Sequence, residues 1–181
     1  MTLYINCCVR SASRTDRLAK AVLAKLGDYT ELYLPAEDIH PLSEEMLNRR
    51  TELLSQKQFD DPMFRYAKQF ANADKIVIAA PFWDGSFPSV LKVYLENIYA
   101  IGIITDYRED GTPVGLCKAD ELIYVTTAGG KYLPDFSYNY WKSLAGMYLG
   151  IPKTRLVMAE MLDIAGMDAE QILSDAIRSL D

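Results

Sequence analysis

Histidine is almost missing from this chain of 181 residues, in which His40 is the only one. A single histidine, followed by Pro41 in a segment expected to be a loop, gives little support to a histidine-based metal site or a Ser-His-Asp triad. The three cysteines form no C-x-x-C pair, and two of them, Cys7 and Cys8, are adjacent. This pattern excludes a disulfide framework, fits a reducing cytoplasm and predicts no metal site.

Long apolar runs and excess positive charge are missing as well. No run is long enough to span a bilayer, and the N-terminal MTLYINCCVR has no basic start before a long apolar region, so no signal peptide is expected. The net charge of -6 argues against a nucleic-acid or anionic-membrane partner. These features predict a cytoplasmic protein, and the length favours one domain over residues 1–181.

Short apolar runs alternate with amphipathic segments along the chain. The predicted strands are Thr2 to Cys7, Tyr29 to Leu34, Lys75 to Ala80, Glu121 to Thr127 and Thr154 to Ala159. Thr15 or Asp16 is expected to cap the first predicted helix, and the other predicted helices begin near Ser43, Met63, Pro88, Ser137 and Asp168. Gly102 to Leu116 is expected to be a long loop. This alternation predicts an α/β flavodoxin-like three-layer sandwich, with a five-stranded parallel sheet of order 2-1-3-4-5 and helices on both faces.

Three predicted loops meet at the carboxyl edge of this sheet, where open α/β folds bind ligands. The first, Arg10 to Thr15, leads into a helix whose N–H groups and dipole attract a phosphate, with hydroxyls from Ser13 and Thr15 and a charge from Arg10 or Arg14. The loop lacks both a P-loop and a G-x-G-x-x-G fingerprint, and helix capping alone also explains its hydroxyls.

The second and third loops offer aromatic rings and bare backbone. Pro81 to Phe87 carries Phe82 and Trp83, which suit a flat ligand but also suit the edge of a core. In the third loop, Thr126 to Tyr132, Gly129 and Gly130 allow a close approach of the backbone to a ligand, or simply a tight turn. The three loops together favour FMN. A phosphoacceptor receiver domain is rejected because Asn6-Cys7-Cys8 stands where an acidic pair is required.

The same segments resemble those of the FMN-dependent NADH-azoreductase family, relatives of the NAD(P)H quinone oxidoreductases. The resemblance covers nearly the whole length and rests on RSASRTDRLA at Arg10 to Ala19, APFWDGSFPSVLK at Ala80 to Lys92 and TTAGG at Thr126 to Gly130. It implies that Ser13-Arg14-Thr15 binds the FMN phosphate. It also implies that Phe82-Trp83-Asp84-Gly85 contacts the ribityl chain and ring, and that Thr127-Ala128-Gly129-Gly130 lies along the pyrimidine end. Arg10 and Pro81 complete the predicted cofactor-binding set.

The chain departs from the family pattern at three of these positions. Asp84 replaces an amide, Gly85 an aromatic residue and Ala128 an arginine, and the family's insertion in the first loop is short. The resemblance implies ping-pong hydride transfer, in which NADH or NADPH reduces FMN and a quinone or azo compound is then reduced. It implies no catalytic side chain, because the flavin N5 carries the chemistry. The residues expected to line the acceptor pocket are Tyr107, Tyr132, Phe136 and Tyr138.

The resemblance also implies a homodimer, with the aromatic segment from Tyr132 to Tyr148, including Trp141, at the interface. Two alternatives stay open at this point. One is a flavodoxin-like electron carrier that does not react directly with NAD(P)H. The other is a flavin-free family member with a structural or regulatory role.

Overall fold

Seven strands and six α-helices occur within residues 1–133 and 135–180, which the computed structural model describes. The strands are β1 (Thr2–Asn6), β2 (Tyr29–Tyr33), β3 (Lys75–Ala79), β4 (Thr105–Tyr107), β5 (Pro113–Gly115), β6 (Glu121–Thr127) and β7 (Lys153–Ala159). The helices are α1 (Arg14–Leu26), α2 (Glu44–Ser55), α3 (Arg65–Asn72), α4 (Ser89–Ile98), α5 (Tyr138–Leu144) and α6 (Ala169–Arg178). A π-helical segment, Ala145–Leu149, continues α5.

The main sheet is parallel and has the order β2-β1-β3-β6-β7. Counted within this sheet alone, that order is the predicted 2-1-3-4-5, so the flavodoxin-like winding is confirmed. β1 lies between β2 and β3, and the chain reverses its direction of winding there. The carboxyl ends of β1, β3, β6 and β7 therefore lie side by side at one edge.

Each face of the sheet has its own core, because successive side chains of a strand point to opposite sides. Ile76 and Ile78 of β3 pack on one face with residues of α3, α4 and α5. Val77 and Ala79 pack on the other face with residues of α1 and α6. All four side chains are fully buried, which explains why this strand is a continuous apolar run.

The segment Gly102 to Leu116 was predicted to be a long loop, but part of it is β-structure. It contains the antiparallel pair β4–β5, closed by a turn in which the N–H of Gly111 donates to the Arg108 carbonyl at 2.9 Å. The prediction was wrong because three-residue strands are too short to show an alternating pattern. A side chain at Gly115 would lie 1.9 Å from the backbone N of Gly150, so this hairpin packs directly on the chain after the π-helical segment.

The start of α1 also differs from the prediction. Neither Thr15 nor Asp16 caps the helix; the N-cap is Ser13, whose Oγ accepts a hydrogen bond from the Asp16 N–H at 3.3 Å. Among the described residues, no helix is both long and apolar enough to cross a bilayer. No cluster of three or more His, Cys, Asp or Glu side chains in that part of the chain is suited to hold a metal ion.

Candidate functional site

A cavity of about 490 Å³ opens at the carboxyl edge of the sheet. Its volume lies within the usual range for small-molecule sites. Four chain segments line it, namely residues 9–15, 81–83, 127–129 and 162–163. They follow β1, β3, β6 and β7, so the cavity is built from the three loops predicted to meet here and from a fourth that was not predicted.

The first segment presents unused N–H donors at the start of α1. The N–H of Ser13 donates to the Arg10 carbonyl at 3.1 Å, and the N–H of Asp16 donates to Ser13 Oγ. The N–H groups of Arg14 and Thr15 have no acceptor in the described part of the chain. Together with the helix dipole, these donors favour an anionic ligand.

A pair of hydroxyl groups joins the first and third segments. Thr15 Oγ1 and Thr127 Oγ1 lie 2.6 Å apart, and Thr15 is only 1% exposed. One hydroxyl must donate to the other, so the pair retains a single hydrogen for a ligand. Thr15 and Thr127 therefore act as one donor unit, not as two independent ones.

The fourth segment is bonded to the first through the side chain of Arg14. The Nη1 of Arg14 donates to the Leu162 carbonyl at 3.2 Å and to Asp163 Oδ1 at 2.8 Å. Sequence reasoning missed Val9, Leu162 and Asp163. Ser11 and Ala12 also line the cavity; they lie within the predicted first loop but were not among its predicted binding residues. The available signal was positional, since residues 160–163 follow the fifth predicted strand at the same edge of the sheet.

The second segment places two aromatic residues at the cavity and turns sharply beyond them. Phe82 and Trp83 line the cavity with Pro81, and Trp83 is 41% exposed. The N–H of Trp83 donates to the Ser86 carbonyl at 2.9 Å and the reverse bond is 2.8 Å.

Asp84 and Gly85 occupy the two positions between these bonds, with φ values of 50° and 82°. Positive φ at both central positions defines a type I′ turn, for which Asp-Gly is a favoured pair. These two departures from the family pattern therefore form a turn tip, and neither residue is in the cavity lining.

The third segment is fixed through its carbonyl groups and through the N–H of Ala128, which donates to the Ala159 carbonyl at 2.9 Å. The carbonyls of Ala128, Gly129 and Gly130 accept from the N–H groups of Leu162, Asp163 and Met161, at 3.2, 2.9 and 2.9 Å respectively. No acceptor in residues 1–133 and 135–180 is bonded to the N–H groups of Gly129 and Gly130. Ala128 and Gly129 line the cavity, whereas Gly130 lies just beyond its lining.

The four aromatic residues predicted for the acceptor pocket do not line this cavity in the described part of the chain. Tyr132 lies behind Phe82, with ring centroids 4.6 Å apart, and its hydroxyl bonds to Ser137 Oγ at 2.5 Å. Burial is the main cause that raises the pKa of Tyr132 to about 12. Tyr138 is partly buried, and its hydroxyl pairs with Thr154 Oγ1 at 3.1 Å.

The other two members of that set lie at the surface. Tyr107 is exposed on the β4–β5 hairpin, and Phe136 is 65% exposed before α5. A contact between any of the four and an electron acceptor stays a prediction.

The adjacent cysteines lie below the cavity on opposite faces of the sheet. Cys7 packs in the core beneath α3, α4 and α5, and Cys8 in the core beneath α1 and α6. Burial raises the pKa of both thiols, that of Cys8 to about 11. Because the thiolate is the reactive form, this environment favours a packing role over a redox role.

The comparisons with known proteins agree with this architecture. A family model described as a flavodoxin-like fold matches residues 1–181. An FMN-dependent NADH:quinone oxidoreductase of Coprothermobacter proteolyticus is 37% identical over 180 residues, covering 93% of this chain and 89% of that protein. FMN-dependent NADH:quinone oxidoreductase 2 of Clostridium acetobutylicum is 38% identical over 189 residues, covering 97% of this chain and 93% of that protein.

A solved structure shares the fold at lower identity. It is an FMN-dependent NADH-azoreductase of Bacillus anthracis in complex with FMN, with a TM-score of 0.81 and 22% identity, covering 98% of this chain and 93% of that one. The match over the whole chain and the identity to curated relatives establish the family. The chain belongs to the flavodoxin-like family that includes the FMN-dependent NADH:quinone oxidoreductases.

Proposed function

We propose that this protein is an FMN-dependent NAD(P)H oxidoreductase that reduces quinones, azo compounds or both. The observation that carries the proposal is the cavity, whose donors and walls fit a phosphorylated flat ligand. Its relatives are named FMN-dependent NADH:quinone oxidoreductases, and the azoreductase of the same fold was solved with FMN. We further propose that residues 1–181 act as one cytoplasmic domain, in keeping with three free cysteines.

The unpaired donors match the two polar ends of FMN. The N–H groups of Arg14 and Thr15, the shared hydroxyl hydrogen of Thr15 and Thr127, and the Arg10 and Arg14 side chains suit its phosphate. The N–H groups of Gly129 and Gly130 suit the carbonyl edge of its ring. Phe82 and Trp83 form the apolar wall beside that ring, and Pro81 and Ala128 complete it.

Once bound, FMN supplies the hydride chemistry, accepting from NADH or NADPH and then donating to the quinone or azo acceptor. The chain contributes position and electrostatics. The Gly129 and Gly130 N–H groups favour negative charge at the nearby ring edge, because they have no competing acceptor among the described residues. Their carbonyls are fixed by residues 161–163, so the donors need not reorganise when charge develops.

Asp84 and Gly85 take a different role from that expected of the aligned family positions. They close the type I′ turn that presents Phe82 and Trp83 to the cavity. We propose that they contribute to the flavin site through this turn and through its tip.

We propose that the protein is a homodimer. An exposed apolar surface near the cavity supports this, formed by Leu133 and Phe136 before α5 and by Tyr140 and Met147 on α5 and its continuation. Trp141 was expected at the interface but is fully buried in the core and does not belong to this surface. Light scattering of the purified protein measures the mass directly, and a monomer at micromolar concentration would contradict the proposal.

The test of the function has two steps. FMN titrated into the free protein should quench both the flavin fluorescence and the tryptophan fluorescence. The loss of tryptophan fluorescence should be smaller in a Trp83→Phe variant, because Trp83 lines the cavity whereas Trp141 is buried in the core and does not. NADH or NADPH should then bleach the flavin absorbance in a stopped-flow experiment, and a quinone should restore it.

The result of each step separates the alternatives. FMN binding without direct reduction by either nicotinamide would favour a flavodoxin-like carrier. No FMN binding would favour a flavin-free structural or regulatory role.

A further inference from the structure

Asp163 is the one carboxylate in the cavity lining among the described residues. Two cationic side chains, Arg10 and Arg14, line the same cavity. Asp163 Oδ1 accepts from Arg14 Nη1 at 2.8 Å, and the same nitrogen donates to the Leu162 carbonyl. One of the two guanidinium groups in the cavity, at the start of α1, therefore already binds a protein anion.

The position of this carboxylate is fixed from two sides. The N–H of Asp163 donates to the Gly129 carbonyl at 2.9 Å. A side chain on Gly129 would lie 2.4 Å from Asp163 Oδ2, so the carboxylate rests on the bare backbone of that glycine. The Asp163 side chain is 71% exposed and lines the cavity.

We propose that Asp163 is a specificity-determining residue that competes with the ligand phosphate for Arg14. Carboxylate and phosphate oxygens seek the same donors of a guanidinium, so each weakens the hold of the other. Asp163 thus lowers the affinity for FMN but not for riboflavin, which lacks the phosphate. This inference rests on the proposed flavin site and concerns how strongly that site selects a phosphorylated flavin.

The experiment compares FMN and riboflavin on the wild-type chain and on Asp163→Asn, which keeps the shape of the side chain but removes its charge. Exposed ion pairs contribute about 0.2–1 kcal/mol, which corresponds to a change of up to about fivefold. We expect Asp163→Asn to bind FMN about two- to fivefold more tightly and to bind riboflavin as the wild type does. Inorganic phosphate, measured by its protection of the free protein against thermal unfolding, should bind more tightly by a similar factor.

Glu170→Gln is the matched control. Arg17 and Glu170 form a second ion pair between α1 and α6, with an N–O distance of 2.8 Å, and neither residue lines the cavity in the described part of the chain. The control changes the net charge by the same amount and weakens another arginine–carboxylate contact, here one with two hydrogen bonds. It should leave the ratio of FMN to riboflavin affinity unchanged.

The outcomes separate this inference from the proposed function. A ratio of FMN to riboflavin affinity that is the same in Asp163→Asn and wild type overturns the role of Asp163, even if both affinities change together. An equal increase of the ratio in Glu170→Gln also overturns it, because net charge would then be the cause. A wild-type chain that binds neither flavin refutes the proposed function itself, and the inference falls with it.

Discussion

The hydroxyl pair of Thr15 and Thr127 permits a quantitative test of how the cavity is held together. Valine has the shape of threonine without the hydroxyl, so each substitution removes one partner of the 2.6 Å contact. Thr127→Val leaves the Thr15 hydroxyl unpaired in a residue that is 1% exposed, at a cost of about 1–3 kcal/mol. Thr15→Val leaves the hydroxyl of the half-buried Thr127 within reach of water, so we expect a loss of about 1 kcal/mol or less.

The double variant decides between a local hydrogen bond and a wider role. Replacing both hydroxyls leaves no unpaired partner, so its free energy of unfolding should lie within about 1 kcal/mol of the wild-type value. Urea denaturation of the four flavin-free proteins measures the coupling energy between the two sites. A double variant that loses the sum of the two single losses would refute this reasoning, as would a larger loss in Thr15→Val than in Thr127→Val.

Three further predictions concern the rest of the fold. Gly115→Ala should lower the free energy of unfolding, measured by urea denaturation, by about 3 kcal/mol, because the new methyl group meets backbone that cannot move aside. The control Gly146→Ala has open space around the new methyl group and should change the free energy of unfolding by about 1 kcal/mol or less. Burial and the hydrogen bond to a carboxylate raise the pKa of Tyr4, so the folded chain keeps a proton that the unfolded chain loses near about pH 10. Stability should therefore fall as the pH rises above about 10. Other buried tyrosines and thiols contribute to this fall, so Tyr4→Phe should make it less steep in urea denaturation without abolishing it, and an unchanged slope would contradict the prediction. Cys7 and Cys8 should react with a disulfide reagent at mild alkaline pH only as fast as the chain opens, and rapid labelling would show that their thiols are accessible.

The strands of the sheet were predicted well because the buried strands consist largely of apolar residues. β3 and β6 are apolar on both faces, and such runs are recognisable without knowledge of their neighbours. The free N–H groups of Arg14 and Thr15 were also predictable, since every helix begins with donors that it cannot satisfy.

Contacts between distant positions were beyond sequence reasoning. Arg14 and Asp163 are 149 positions apart, and only the fold, which places the residues after β7 beside the start of α1, brings them together. The Asp84-Gly85 pair is typical of a turn, but the resemblance led us to interpret the two residues through the amide and the aromatic residue that they replace. Their positive φ values give the physical reason why this pair stands there.

The cavity is a junction between the two cores that pack on opposite faces of the sheet. Its donor end belongs to α1, which packs on one face, and its aromatic wall precedes α4, which packs on the other. A ligand in contact with both ends links the two faces. At a free ligand concentration of 100 times the dissociation constant, it raises the free energy of any opening that breaks the site by about 2.7 kcal/mol. Amide hydrogens on both faces should then exchange more slowly together, so the faces open as one cooperative unit in the loaded protein.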